Sequence, residues 1–169
     1  MNMVDAVKSV LSQYVGFRGR ARRSEYWYWT LATILVSFAV EVFEGLIGTS
    51  AGGTGLISLL FSLAIFLPGL AVSFRRVHDI GRSGWWVGGF YLIILLFFVV
   101  LIAAAGGLIA TDSESEMALA SLGVFSIVFG LGIVIFAIIL LVFFCTDSQV
   151  GPNRYGPNPK HEGNYDVFE

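Results

Sequence analysis

Residues 55–82 read GLISLLFSLAIFLPGLAVSFRRVHDIGR. Positions 55–74 carry no charge at all; Arg75, Arg76, His78, Asp79 and Arg82 then crowd the next eight positions. About 20 apolar residues rising about 1.5 Å each cross the roughly 30 Å hydrocarbon core of a bilayer, so positions 55–74 predict a membrane-spanning helix that ends in a basic cluster. Working outward, positions 26–46, 85–108 and 118–144 are apolar runs of similar kind. Lipid offers no partner for backbone N–H and C=O groups, so isolated runs of this length are helical. Their connections are short, which makes consecutive helices antiparallel neighbours. The fold class read from this pattern is all-α, an integral membrane four-helix bundle forming a single domain over 1–160.

The charges orient it. The ten basic residues are Lys8, Arg18, Arg20, Arg22, Arg23, Arg75, Arg76, Arg82, Arg154 and Lys160, and all fall on one side of the four runs. Lys and Arg are retained in cytoplasmic loops, so the expectation is a multi-pass protein with both termini in the cytoplasm. Trp27, Trp29, Trp85 and Trp86 open the first and third spans on that same side, as an aromatic belt would.

Composition agrees. Hydrophobic residues make up 56% and charged residues 13%, against roughly 25% charged in an ordinary globular domain. No basic run stands apart from the membrane ends, which argues against nucleic acid as a partner. The single cysteine, Cys145, has no internal disulfide partner and reads as a small hydrophobe at a helix end. Positions 1–23 have no apolar core of a cleavable signal, so the first span is expected to serve as the targeting signal.

Outside the spans, Val4, Val7, Val10, Leu11 and Tyr14 recur at helical spacing, with Asp5, Lys8, Ser9, Ser12 and Gln13 opposite. They predict a short N-terminal amphipathic helix lying in the interface, or packed on the underside of the bundle. The loop at 48–54 is small and flexible in composition, and the loop at 111–117 carries Asp112, Glu114 and Glu116. After the last span, 147–169 holds three of the four prolines with repeated Gly-Pro-Asn units, which predicts an irregular tail.

Topology brings three pieces to one face: FRGRARRSEYW at 17–27, RRVHDIGRSGWW at 75–86 and NRYGP at 153–157. Their Gly-Arg-x-x-Arg-x-Glu-Tyr-Trp, Arg-Arg-x-His-Asp-Ile-Gly-Arg-Ser-Gly-Trp-Trp and Asn-Arg-Tyr-Gly elements resemble, in the same order, the signature of the bacterial domain-of-unknown-function 805 family. The resemblance covers about 14–160, with Val77 where Leu is expected. It implies a bacterial inner-membrane protein and no established activity.

Local rules explain part of these motifs. Arg75 and Arg76 complement the negative end of a helix dipole, Gly81 suits a helix-ending turn, and Ser24 and Ser83 are candidate caps for the helices that follow them. Arg22 and Arg23 precede a helix start, where a cation is disfavoured, so anionic headgroups, topology or acids such as Glu25 and Asp79 must offset them. Topology plus Arg–Asp pairs is one reading of the cluster. The other is a pocket for a phosphate-bearing group, most simply an anionic phospholipid headgroup, built from Arg18, Arg20, Arg22, Arg23, Arg75, Arg76, His78, Asp79, Arg82 and Arg154. His78 and Asp79 are adjacent, about 100° apart on a helix, and so do not form a dyad by position alone.

Two acids within the first span set up an alternative. Glu41 and Glu44 would mark a proton or cation path if they lie in hydrocarbon, and Pro68-Gly69 could free a backbone carbonyl for it. If the helix ends early they sit among headgroups instead. A lipid-modifying enzyme using His78 and Asp79 is a further alternative. No cofactor and no metal is expected. Ala103, Gly107, Gly123, Gly130 and Gly132 would allow close helix contacts within the bundle or in a homo-oligomer, and a membrane-protein partner is equally open. The sequence reading is of a binding or organising protein rather than an enzyme.

Overall fold

A computed structural model describes residues 1–48, 55–110 and 116–160, the side chains at 108–110 and 118 excepted. The expectations for the loops at 49–54 and 111–115 and for the tail beyond 160 fall outside the described residues. Among the described residues there are five helices and no strand beyond a lone bridge between Asn153 and Gly156. They are α1 (Met3–Ser12), α2 (Arg23–Leu46), α3 (Leu56–Asp79), α4 (Trp85–Ala110) and α5 (Glu116–Cys145).

Four stretches are long and apolar enough to cross a membrane: Arg23–Leu46, Leu56–Asp79, Trp85–Gly107 and Leu119–Cys145, with mean hydropathies of 1.5, 2.3, 2.8 and 3.3. At 24 residues, α2 and α3 are each about 36 Å long, enough to pass the hydrocarbon with both ends among headgroups. The spans start and end a few residues beyond the apolar runs because charged residues at a span's ends extend into the interface without leaving the helix.

The described chain forms two compact units. One comprises Met1–Gly84 together with the residues from Phe144 onward, the other Trp85–Phe143. In the first, α1 packs on α2 and α3, and α2 on α3. Its core is Val10, Ala21, Trp29 and Val72, with Val7, Tyr26 and Ile65 against it. The amphipathic pattern of α1 is only partly used there. Ala6 and Val10 are buried, whereas Val4 and Leu11 stay exposed. The apolar stripe is wide enough that one edge meets protein while the other does not. Asn2 caps α1, its side chain accepting from the Asp5 amide at 2.8 Å.

Pro68 is buried inside α3. A proline has no N–H, so the carbonyl of Ala64, four residues back, loses its helical partner. The Tyr14 hydroxyl donates to that carbonyl. The carbonyl freed by Pro68 thus ties the segment after α1 to the middle of α3. At the other end of α3, Gly81 has a φ of +75°. Its amide donates to His78 at 3.0 Å and that of Arg82 to Val77 at 3.1 Å, the paired bonds of a Schellman turn, which need the left-handed conformation glycine adopts freely.

The second unit is built from aromatic rings. Phe97 stacks on Phe129 at 5.3 Å and on Phe125 at 6.1 Å. Trp86 meets Phe136 and Phe143 edge-on at 5.8 and 5.3 Å. Its buried residues are Val87 and Leu140 among those described.

Candidate functional site

The basic end of the first unit holds the chemistry. Residues 17–23, the end of α3 and the segment after α5 meet there, joined by the backbone bond from Ala21 to the Arg75 carbonyl at 3.0 Å and from Gln149 to the Asp79 carbonyl at 3.1 Å. Asp79 is fully buried between two guanidiniums. Arg20 Nε donates to its Oδ1 at 2.9 Å and Arg76 Nη1 to its Oδ2 at 2.6 Å. Buried carboxylates persist only when paired and hydrogen-bonded, and both conditions are met.

Each arginine then turns its remaining donors on the backbone. Arg20 Nη1 donates to Gly151 at 2.7 Å and Gly156 at 3.3 Å, and Nη2 to Gln149 at 2.6 Å and Asp79 O at 3.3 Å. With the Asp79 carboxylate, all five N–H groups of that guanidinium are used. Arg76 donates to the carbonyls of Phe144 at 3.2 Å, Ala21 at 3.5 Å and Thr146. Arg22 Nη2 reaches Pro159 O at 2.6 Å. Residues 146–160 are irregular because Pro and Gly prevent helix, and an irregular backbone leaves carbonyls open to such donors. The arginines close this segment onto the ends of α2 and α3.

The sequence-level residues therefore sort into groups. Arg20, Arg22, Arg76 and Asp79 converge, but onto one another and the chain. Ser24 does not cap α2: Arg22 occupies the N-cap position with no side-chain cap bond, Arg23 is the first helical residue, and Ser24 and Glu25 lie in the first turn. The unfavourable cation at that helix start is offset by chain carbonyls and by Asp147, which Arg23 meets at 2.9 Å. Asp147 lies outside the spans; the Lys160 ammonium at 2.6 Å, helped by the Ser148 amide and Arg23, holds its carboxyl below the ordinary carboxylate value. His78 does not pair with Asp79. Its ring stacks on Tyr155 at 3.8 Å and 8°, and its Nδ1 has no hydrogen-bond partner among the described residues. Arg18, Arg82 and Arg154 are exposed. Arg154 lies over the Tyr155 ring at 4.7 Å.

Arg75 stands apart. It meets Glu25 at 3.3 Å, and Ser9 of α1 donates to the same carboxylate at 3.0 Å. Its Nε and Nη2 are buried without a partner among the described residues. Ser9, Tyr155 and Asp147 were not candidates from sequence. Their roles depend on which backbone surfaces meet, and no spacing encodes that.

The two acids of α2 are not brought together. Glu41 is exposed, whereas Glu44 is 1% exposed and accepts from the Ile57 and Ser58 amides at 2.7 and 3.1 Å and from the Ser58 hydroxyl. It serves as the missing cap of α3, whose own N-cap residue Gly55 has no side chain. A Cβ at Gly55 would clash with the Glu44 carboxylate, which approaches only because glycine stands there.

The basic-end network defines an all-helical membrane protein whose arginine motifs are structural partners of its own tail. Residues 14–157 match the model of the family described as "Protein of unknown function (DUF805)". The chain belongs to that family. It is 34% identical over 160 residues to the inner membrane protein YhaH of Escherichia coli strain K12, covering 94% of this chain and 99% of the relative. To the inner membrane protein YhaI of the same strain it is 37% identical over 156 residues, covering 92% and 96%. No solved structure matches.

Proposed function

We propose that this inner-membrane protein has both termini in the cytoplasm and binds or organises anionic lipid headgroups at that face through Arg18, Arg82 and Arg154. One observation carries the reading. The side chains of Arg18, Arg82 and Arg154 are exposed, on segments whose backbone adjoins the buried His78, whereas those of Arg20 and Arg76 are buried. Gly19, next to Arg18, neighbours His78; the Arg82 amide bonds to Val77; and Arg154 covers Tyr155, which stacks on His78. Exposed guanidiniums on a rigid base, level with headgroups, attract anionic lipid by charge and by bidentate contacts to phosphate. The one-sided distribution of all ten basic residues supports the orientation.

The test is lipid retention. Wild type and the Arg18→Gln/Arg82→Gln/Arg154→Gln variant are extracted in mild detergent and their phospholipid is quantified per protein, with Arg23→Gln as control because Arg23 is already paired with Asp147. The triple variant is expected to lose most of its anionic phospholipid and the control to keep it. An unchanged lipid complement in the folded triple variant sinks the proposal. Orientation is read separately, by a C-terminal green fluorescent protein fusion that fluoresces and a phosphatase fusion that stays inactive.

A further inference from the structure

The buried charges at the basic end do not balance. Among the described residues three guanidiniums lie buried there, Arg20, Arg75 and Arg76, against two carboxylates, Glu25 and Asp79. Asp79 is shared by Arg20 and Arg76, and Glu25 is held by Arg75 and Ser9. Chain carbonyls take up the other donors of Arg20 and most of those of Arg76. Arg75 has no such relief. It is 1% exposed, yet Nε and Nη2 have no partner among the described residues. Leaving a buried guanidinium edge unpaired is costly, and Nε–H and Nη2–H form the parallel pair that grips an oxyanion bidentately.

The helices that carry Glu25 and Arg75 also line an apolar groove of about 160 Å³, open along Leu11 and Val36, which are exposed. Val7 and Leu11 line it from α1, Trp29 and Val36 from α2, and Phe61 and Ile65 from α3. An apolar groove offers water no hydrogen-bond partner and so accepts hydrocarbon. Along α2 the groove begins about one helical turn from the polar pair. Glu25 is one turn before Trp29 in α2, on the same face of that helix, and Arg75 meets Glu25.

We propose that Arg75 and this groove form one lipid site, separate from the exposed arginine patch. It takes a molecule with a single monoanionic oxyanion, held on the Nε–Nη2 edge of Arg75, and an alkyl chain that follows the groove. One negative charge balances the excess guanidinium, and the chain fills space that water avoids. A phospholipid phosphodiester and a fatty-acid carboxylate share this chemistry.

The experiment uses the full-length protein, delipidated in detergent and titrated separately with phosphatidylglycerol and with palmitate. Native mass spectrometry counts bound molecules, and tryptophan fluorescence follows Trp29 in the groove wall. One equivalent of at least one amphiphile is expected, and which one binds tells phosphodiester from carboxylate. Arg75→Lys keeps the charge but loses the fork and should weaken binding by about tenfold or more. Ala32→Phe, which fills the groove from α2, should do the same with the head group site intact. The triple glutamine variant of the surface patch should keep this equivalent, so the two sites fail independently. Absence of one-to-one binding with both amphiphiles overturns the site, as does unchanged affinity in folded Arg75→Lys and Ala32→Phe. If the lysine variant does not fold, Ala32→Phe alone decides it.

Discussion

The two units of this protein solve the problem of living in lipid differently. Trp85–Phe143 is apolar on every side of both helices: α4 and α5 have the highest mean hydropathies, 2.8 and 3.3, and 6% of each span is buried in protein. Neither helix has a distinctly polar face, and their contacts include ring packing along Phe97, Phe125 and Phe129. Between apolar helices in lipid there is no hydrophobic drive, so close packing weighs heavily in selecting a face. The other unit buries charges and has its partners specified atom by atom. Arg20 alone makes five directed hydrogen bonds. Aromatic contacts tolerate sliding; a guanidinium fork does not.

Substitutions should separate the two modes. The largest effect is expected for Asp79→Ala, which strands two buried guanidiniums. Removing one partner of a buried ion pair costs about 3–5 kcal/mol, so thermal unfolding in detergent should drop sharply. A variant as stable as wild type would mean that carbonyls alone satisfy Arg20 and Arg76. Next comes Arg20→Lys, which keeps the charge but cannot reach Asp79, Gln149 and Gly151 together. A loss of about 2–3 kcal/mol is expected from charged hydrogen bonds. It should appear as faster proteolysis within 149–156, with α4 and α5 unaffected.

Smaller effects lie elsewhere. Tyr14→Phe leaves the Ala64 carbonyl beneath Pro68 unpaired and should cost about 1 kcal/mol, read as faster amide exchange in α1. In the apolar unit, Phe97→Leu should cost about 0.5–1.5 kcal/mol, the worth of an aromatic pair beyond its area. A loss there as large as that of Asp79→Ala would erase the distinction between the units. The smallest effect concerns pH. A carboxyl held below its ordinary value, as Lys160 holds that of Asp147, adds stability above its unfolded pKa and loses it as pH falls through the folded one. Asp147→Asn should therefore flatten the decline in stability below the ordinary value of 3.8, and only slightly, because the pair is exposed.

Much of the fold was legible beforehand. The four apolar runs anticipate α2 to α5 within a few residues, since span length is set by bilayer thickness rather than by neighbours. The Gly81 turn was readable too, because it needs only local backbone geometry. The candidate site was legible as a list and not as an arrangement. Arg20 and Arg76 looked available for a ligand, but their partners are carbonyls of 144–156, and a carbonyl has no signature in sequence. Glu44 looked like an ion-path candidate, but its oxygens bond to amides of α3 across a glycine. The carbonyl freed at Pro68 was foreseen, and its partner Tyr14 was not.

Sequence alone determined that the chain is helical, enters a membrane and gathers its basic residues toward one side. Those properties follow from transfer free energies and backbone hydrogen bonding, which each segment carries by itself. Tertiary structure alone decided which arginines are consumed by the fold, which remain exposed and that Arg75 keeps an unpaired edge. A guanidinium's role depends on where its five donors point, and that is settled only when distant segments meet.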